Sequence, residues 1–583
     1  MLDLYQFDHG WEAYAYRYLG AHKTDKGFVF RTFAPKAYKV CLITSFNNWQ
    51  EVEMTRVHDR FFEVEIPGLG KGELYKYRIY GQDGSVVDHA DPYAFFSELR
   101  PGSASITYHD EYTFNDKKWM KERSCNFDRP LNIYECHLGS WKKKGPAIED
   151  WYSYKELEEE LIPYVVDNGY THLEVMPLSE HPFDGSWGYQ ITGFFSPTSR
   201  YGNPEELKHF IDSCHKAGLG IIMDFVPVHF CADSFGLRNY DGSALYEYGN
   251  DLASNEWGSC NFDHGKGEVA SFLLSSANYF LEEFHFDGLR FDAIRNMIYY
   301  QGIEERGIHE SNLEFMKTFN SILKKKFPDI MLIAEDSSPY KGVTRRTEEG
   351  GLGFDYKWDL GWMNDTLKFF SSKPSERKSY YHKLTFSMSY YWDDRFLLPL
   401  SHDEVVHGKA AIIQKMGGSD YNDKFSQARA LYMYMMAHPG KKLNFMGNEI
   451  GHFREWHEFR DLDWNLLSFQ IHRDFATFIK NLNHFYLDNS ALWKWDYSPD
   501  GYMWRSCNQE SDSCYVFERR NESESYLFLF NFSDRDAEWR MPYCEVESVF
   551  DTLVYGSQNQ TEIKDGERVF YMPRFSGMCF KFK

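Results

Sequence analysis

Between Leu131 and Met446 the chain repeats one pattern eight times: a short apolar run followed by a polar or amphipathic stretch. The runs are Leu131 to Glu135, Thr171 to Leu178, Leu219 to Val226, Gly288 to Asp292, Ile330 to Ala334, Phe354 to Lys357, Phe396 to Leu400 and Lys442 to Met446. Leu219 to Val226 is apolar on both faces, as a parallel strand covered on both sides must be. The stretches between read as helices. Ser153 is a candidate N-cap, Leu157, Leu161 and Val165 share one face, and Gly169 stands where a C′ glycine belongs. Asn203-Pro204 opens a second helix as N-cap and N1; Leu207, Phe210, Ile211 and Cys214 face inward, and Gly218 closes it. Eight strands separated by helices predict an α/β fold, a (β/α)8 TIM barrel. A doubly wound sheet is the alternative, but no glycine-rich phosphate fingerprint follows the first strand.

The flanks differ in character. A chain of 583 residues is too long for one ordinary core, so about three domains are expected. Residues 1–125 read as an N-terminal β-sandwich, with strands around Phe28 to Phe33, Val40 to Ile43 and Leu74 to Tyr80. Residues 126–488 form the barrel. Residues 489–583 read as a C-terminal antiparallel β domain, with strands at Tyr515 to Arg519, Tyr526 to Phe532 and Arg568 to Met572.

Composition narrows the partners. A formal charge of −23 argues against nucleic acid and against an anionic membrane surface, since both need clustered Lys and Arg. No apolar run reaches the roughly 18 residues of a membrane span. The start of the chain has neither a basic n-region nor an apolar h-region. Ten scattered cysteines with no CxxC pair read as reduced thiols of a cytoplasmic protein. The aromatic content of 18% fits large cores filled with Phe and Tyr better than it fits flat rings that pack on sugars.

In a barrel, chemistry sits at the C-terminal strand ends. Four of these ends carry acids: Asp224 with His229 after the third strand, Asp292 after the fourth, Glu335-Asp336 after the fifth, and His402-Asp403-Glu404 after the seventh. Like charges converging at one mouth repel, so stability alone explains the set poorly. Retaining glycoside chemistry needs a nucleophile and an acid/base about 5 Å apart. Asp292 fits the nucleophile, with Arg290 on the same strand face to keep it ionised. Glu335 fits the acid/base, and Asp403 a holder of sugar hydroxyls. His229 and His402 can hydrogen-bond hydroxyls; neither belongs to a metal-binding pattern, so no metal is expected.

Asp224 to His229, Asp287 to Ala293, Ala334 to Ser337 and Leu398 to Gly408 resemble the four sequence regions that mark the α-amylase superfamily (glycoside hydrolase family 13). His181-Pro182-Phe183-Asp184-Gly185-Ser186-Trp187-Gly188-Tyr189-Gln190 and Leu398 to Lys409 resemble the branching-enzyme members in particular, as do Glu135 to Trp141, Phe445 to Glu449 and Arg454-Glu455-Trp456. Phe46-Asn47-Asn48-Trp49 is similar to a loop of the glucan-binding sandwich at the front of such enzymes. The resemblance implies a catalytic triad of Asp292, Glu335 and Asp403. It implies a sugar subsite lined by Tyr189, Asp224, His229, Arg290, His402 and Trp187. There are departures. Val228 stands where many amylases have a calcium-binding Asn, which implies no calcium there. Asp336 stands where many relatives have Glu.

The resemblance implies an α-glucan substrate (glycogen, amylose or a starch-like chain), no cofactor, and transfer of a cut chain to a 6-hydroxyl. Sequence physics leaves open an α-glucan hydrolase with the same triad, because the residues alone do not decide whether water or sugar resolves the intermediate. A non-catalytic glucan-binding protein is the third possibility, disfavoured by the intact triad.

Overall fold

The computed structural model describes residues 2–553 and 560–583. Eight parallel strands close into a barrel: β1 (Asn132–Cys136), β2 (His172–Val175), β3 (Gly220–Phe225), β4 (Gly288–Phe291), β5 (Met331–Ala334), β6 (Tyr356–Trp358), β7 (Phe396–Leu400) and β8 (Lys441–Phe445). Their order around the barrel is their order in the chain. Every residue of these strands is buried, which is why they read as apolar runs without alternation. β2 stops short of the expected Leu178, because Pro177 has no N–H to give a neighbouring strand. β6 begins two residues later than the sequence suggests; the Phe354 N–H is bonded to Val343 O at 3.2 Å and belongs to the preceding turn.

Two compact units divide the chain. The first runs up to Ser124 and adds His137–Ile162 and Glu174–Asp355. Its N-terminal part pairs Gly20–Lys23, Gly27–Phe33, Phe61–Pro67 and Thr55–Val57 in one sheet, and Val52–Glu53, Ala37–Thr44, Leu74–Gly81 and Val86–His89 in another. Short helices at Leu4–Asp8 and Lys117–Glu122 interrupt this otherwise β region. Trp49 is left-handed at φ 63° and 41% exposed, so it does not pack the sandwich.

The helices follow their sequence cues. In α1 (Tyr154–Asp167), Leu157, Leu161 and Val165 are fully buried. Ser153 N–H donates to Glu156 and Glu156 N–H lies 3.4 Å from Ser153 Oγ, the reciprocal bonding of a capping box. α2 (Pro204–Lys216) has the same device between Asn203 and Glu206. Beside β4, His215 of α2 lies between Asp116 at 2.8 Å and Asp287 at 3.1 Å. Asp287 Oδ2 also accepts from the Ile221 N–H, which ties α2, β3 and the entry to β4 together. α3 (Glu310–Lys326) separates β4 from β5 in the chain.

The second unit comprises Cys125–Cys136, Pro163–Leu173 and Tyr356 onward. Its C-terminal part holds a five-stranded and a three-stranded antiparallel sheet over a core that includes Val516, Leu527, Leu529, Phe570 and Phe580. All ten cysteines are free thiols. No helix among the described residues is long and apolar enough to cross a membrane.

Candidate active site

Strand register sets the geometry of the first cluster. β3 and β4 pair Phe225 with Phe291, and β4 and β5 pair Phe291 with Ala334. Asp292 and Glu335 are the next residues of their strands, so they emerge side by side at the C-terminal edge. Arg290, two residues before Asp292, is 1% exposed. Its Nη1 donates to Asp292 Oδ1 at 2.9 Å and to Asp224 Oδ2 at 3.1 Å. Its Nη2 lies 3.8 Å from Glu335 Oε2. One guanidinium therefore reaches three carboxylates from three adjacent strands. Burial works against its charge, but the attraction of Asp224, Tyr189, Asp292 and Glu335 outweighs it and holds the Arg290 pKa well above its usual value. A permanently charged fork is what a site of converging acids requires.

The chain turns sharply after Asp292. Ala293 is left-handed at φ 51°, a conformation that costs an L-residue about 1 kcal/mol or more. The turn directs the Ala293 N–H onto Glu335 Oε2 at 2.7 Å, and the Ile294 N–H donates to Glu335 O at 2.9 Å. The side chains of Asp292 and Glu335 keep 17% and 19% of their surface open. They are reachable, whereas Asp224 and Arg290 beneath them are not.

Tyr189 Oη donates to Asp224 Oδ2 at 2.5 Å, and the Arg290 guanidinium lies 5.9 Å from the tyrosine ring centre. Two features hold its loop. Buried Arg200 donates to Glu180 and Asp184 at 2.8 Å each, and Arg100 pairs with Asp184 at 2.7 Å. Trp187 and Gly188 take φ values of 55° and 93°. A Cβ on Gly188 would sit 2.4 Å from Pro177 O, so only glycine fits there. Trp187 is half-buried, two residues before Tyr189.

His229 is 3% exposed. Burial lowers its pKa to about 4, so it is neutral at neutral pH. Its Nδ1 makes no hydrogen bond, and its ring packs 5.3 Å from Trp257. Trp257 is 44% exposed and was not singled out from sequence; it lies in a long irregular loop with no periodic signal.

The second unit supplies another cluster, after β7. His402 is buried, and its Nδ1 lies 2.5 Å from Glu135 Oε1. The His402 N–H donates to Glu135 Oε2 at 3.1 Å, and Ser401 Oγ donates to Oε1 at 3.1 Å. The fully buried Glu135 thus fixes the imidazole, leaving Nε2 3.5 Å from Asp403 Oδ1. The side chain of Asp403 is 56% exposed. Sequence reasoning assigned no role to Glu135, which holds the His402 ring. A signal was present in the sequence: an acid at the end of the first apolar run, like the four acidic strand ends already noted. Asp336 is buried and caps its own loop, accepting from the Ser338 N–H at 2.8 Å.

Known proteins share this layout. Residues 18–94 match the model of carbohydrate-binding module 48 (isoamylase N-terminal domain), and residues 159–247 match that of the alpha amylase catalytic domain. The 1,4-alpha-glucan branching enzyme GlgB of Fusobacterium nucleatum subsp. nucleatum is 46% identical over 92% of this chain and 88% of its own length. The chain belongs to the 1,4-alpha-glucan branching enzyme family of the α-amylase superfamily. The GlgB of Geobacillus stearothermophilus is 45% identical over 92% of the chain and 85% of its own. Pullulanase from Bacillus acidopullulyticus has the same fold at a TM-score of 0.74, with 17% identity over 97% of this chain and 74% of that one.

Proposed function

We propose that this protein is a 1,4-α-glucan branching enzyme that cuts an α-1,4 chain and rejoins the piece through an α-1,6 bond. The observation that carries the chemistry is the Arg290 guanidinium, which contacts both Asp292 and Glu335 while neither carboxylate is sealed from the surface. Asp292 attacks the anomeric carbon as the glycosidic C–O bond breaks, and Glu335 gives its proton to the leaving oxygen. Glu335 then takes the proton of an acceptor 6-hydroxyl, whose oxygen displaces Asp292. Two inversions retain the α configuration. Asp403 binds hydroxyls of the distorted ring, with His402 held by Glu135 beside it.

Tyr189, Trp187, His229 and Trp257 form the remaining donor contacts. The neutral His229 supports Trp257, against which its ring packs. The choice of branching over hydrolysis is supported by the extent of similarity to the GlgB relatives. The boundaries 1–125, 126–488 and 489–583 separate glucan-binding, catalytic and accessory parts in this proposal. Glycogen or a starch-like chain is the partner, and free thiols throughout support a cytoplasmic setting.

The test combines two assays on one amylose sample. Branching lowers the iodine colour without matching growth in reducing ends, and an α-1,6-cleaving enzyme then releases short chains. A parallel rise in reducing ends would assign the protein to the hydrolases instead.

A further inference from the structure

A groove separate from the acidic strand ends lies on the outer side of α3. It encloses about 1030 Å³ and is bordered by Trp11 from the N-terminal segment and Glu348 from a later turn. Glu314, Lys317, Ser321 and Lys325 line it. They stand at i, i+3, i+7 and i+11, one face of a helix, and span roughly 16 Å at 1.5 Å per residue. The opposite face of α3 buries Leu313, Phe315, Met316 and Phe319. None of those four lining side chains, nor that of Glu348, has a hydrogen bond or ion pair with the rest of the described chain.

Trp11 is 41% exposed and is not loose. Its ring lies 6.0 Å from Tyr5 and 5.2 Å from His9, and His9 Nδ1 lies 2.7 Å from Tyr5 O. Three rings brace one another at the rim, so little side-chain freedom remains to be lost on binding. The lining has Lys317, Lys325 and Lys326 against Glu314 and Glu348. Such mixed charge suits a neutral ligand with many hydroxyls rather than an ion. A flat indole beside a row of unsatisfied donors and acceptors has the composition of a ligand site in which an apolar surface binds and a few polar groups orient.

We propose that this groove is a second α-glucan-binding site, in which a linear α-1,4-glucan segment lies along α3 with one sugar ring on Trp11. The ligand class rests on the branching-enzyme reading above. A polymer held here remains tethered to the enzyme, and its other chains are presented at a raised effective concentration.

The probe is maltoheptaose, titrated into the full chain labelled with 5-fluorotryptophan and carrying Asp292→Asn to prevent turnover. Trp11→Phe in the same background assigns the Trp11 fluorine resonance. That resonance is expected to shift saturably. If it stays fixed while other indole resonances move, or if none moves, the site does not exist. In the active enzyme, Trp11→Ala is expected to raise KM for amylose about threefold or more with kcat unchanged, whereas an unchanged KM would overturn the proposal. A wild-type chain that shows the Trp11 shift but hydrolyses amylose would remove the functional reading and leave this site standing.

Discussion

At Gly188 a single hydrogen atom decides the shape of the loop that carries Tyr189. With a Cβ only 2.4 Å from Pro177 O, Gly188→Ala must move backbone, and the loss should be at least about 2 kcal/mol locally. We expect its activity to fall through displaced Tyr189, read as a larger drop in kcat/KM than in thermal midpoint. In the proposed mechanism Glu135 acts at one remove from the substrate, through the His402 ring. Glu135→Gln keeps the volume and one acceptor but loses the charge that anchors Nδ1, so kcat should fall at least about tenfold. Restoration by Asp would not be expected, since the shorter side chain withdraws the oxygens; the check is the kcat–KM split with amylose. The positions of Asp224, Arg290, Asp292, Glu335 and Asp403 at or beside strand ends were legible because the apolar runs of the barrel strands could be read from the sequence. Glu135 and Trp257 were less so. The partner of Glu135 comes from a strand 267 residues away, and Trp257 depends on a loop path that no local rule dictates.

Among the elements, α2 shows how cap, face and tether combine. Asn203 and Glu206 exchange bonds at its start, and Asn203→Ala should cost about 1 kcal/mol, visible as a lower thermal midpoint with kcat unchanged. Toward its end, His215 sits between two carboxylates. Burial opposes its charge, but the pull of Asp287 and the bonds to Asp116 raise its pKa to about 9. The unfolded value is near 6.5. A raised folded pKa gives stability that is complete below about 6.5 and lost as pH climbs through about 9. The advantage of wild type over His215→Gln in urea midpoint should therefore shrink between pH 6 and pH 9.5; an advantage constant across that range would assign His215 a packing role only. Strand and helix positions were readable from apolar runs and caps. The ends of β2 and β6 were not, because they depend on Pro177 and on the Val343 turn rather than on hydrophobicity. The N-terminal region was readable as a sandwich, whereas the short helices at its margins lack the length for a periodic signal.

For the whole molecule, the eightfold pattern made the barrel legible, and the flanking strands made the outer β regions legible. The choice between transfer to sugar and transfer to water was not, since it depends on acceptor binding and water exclusion rather than on the acids themselves. In the proposed mechanism both outcomes pass through a covalent bond between glucose and Asp292, and the presence of that bond can be tested. Treatment with a 5-fluoro-α-glucosyl fluoride, followed by digestion and mass spectrometry, should give one glycosylated peptide, the one that contains Asp292. An adduct on any other carboxylate, or none on a preparation that still processes amylose, would contradict the mechanism.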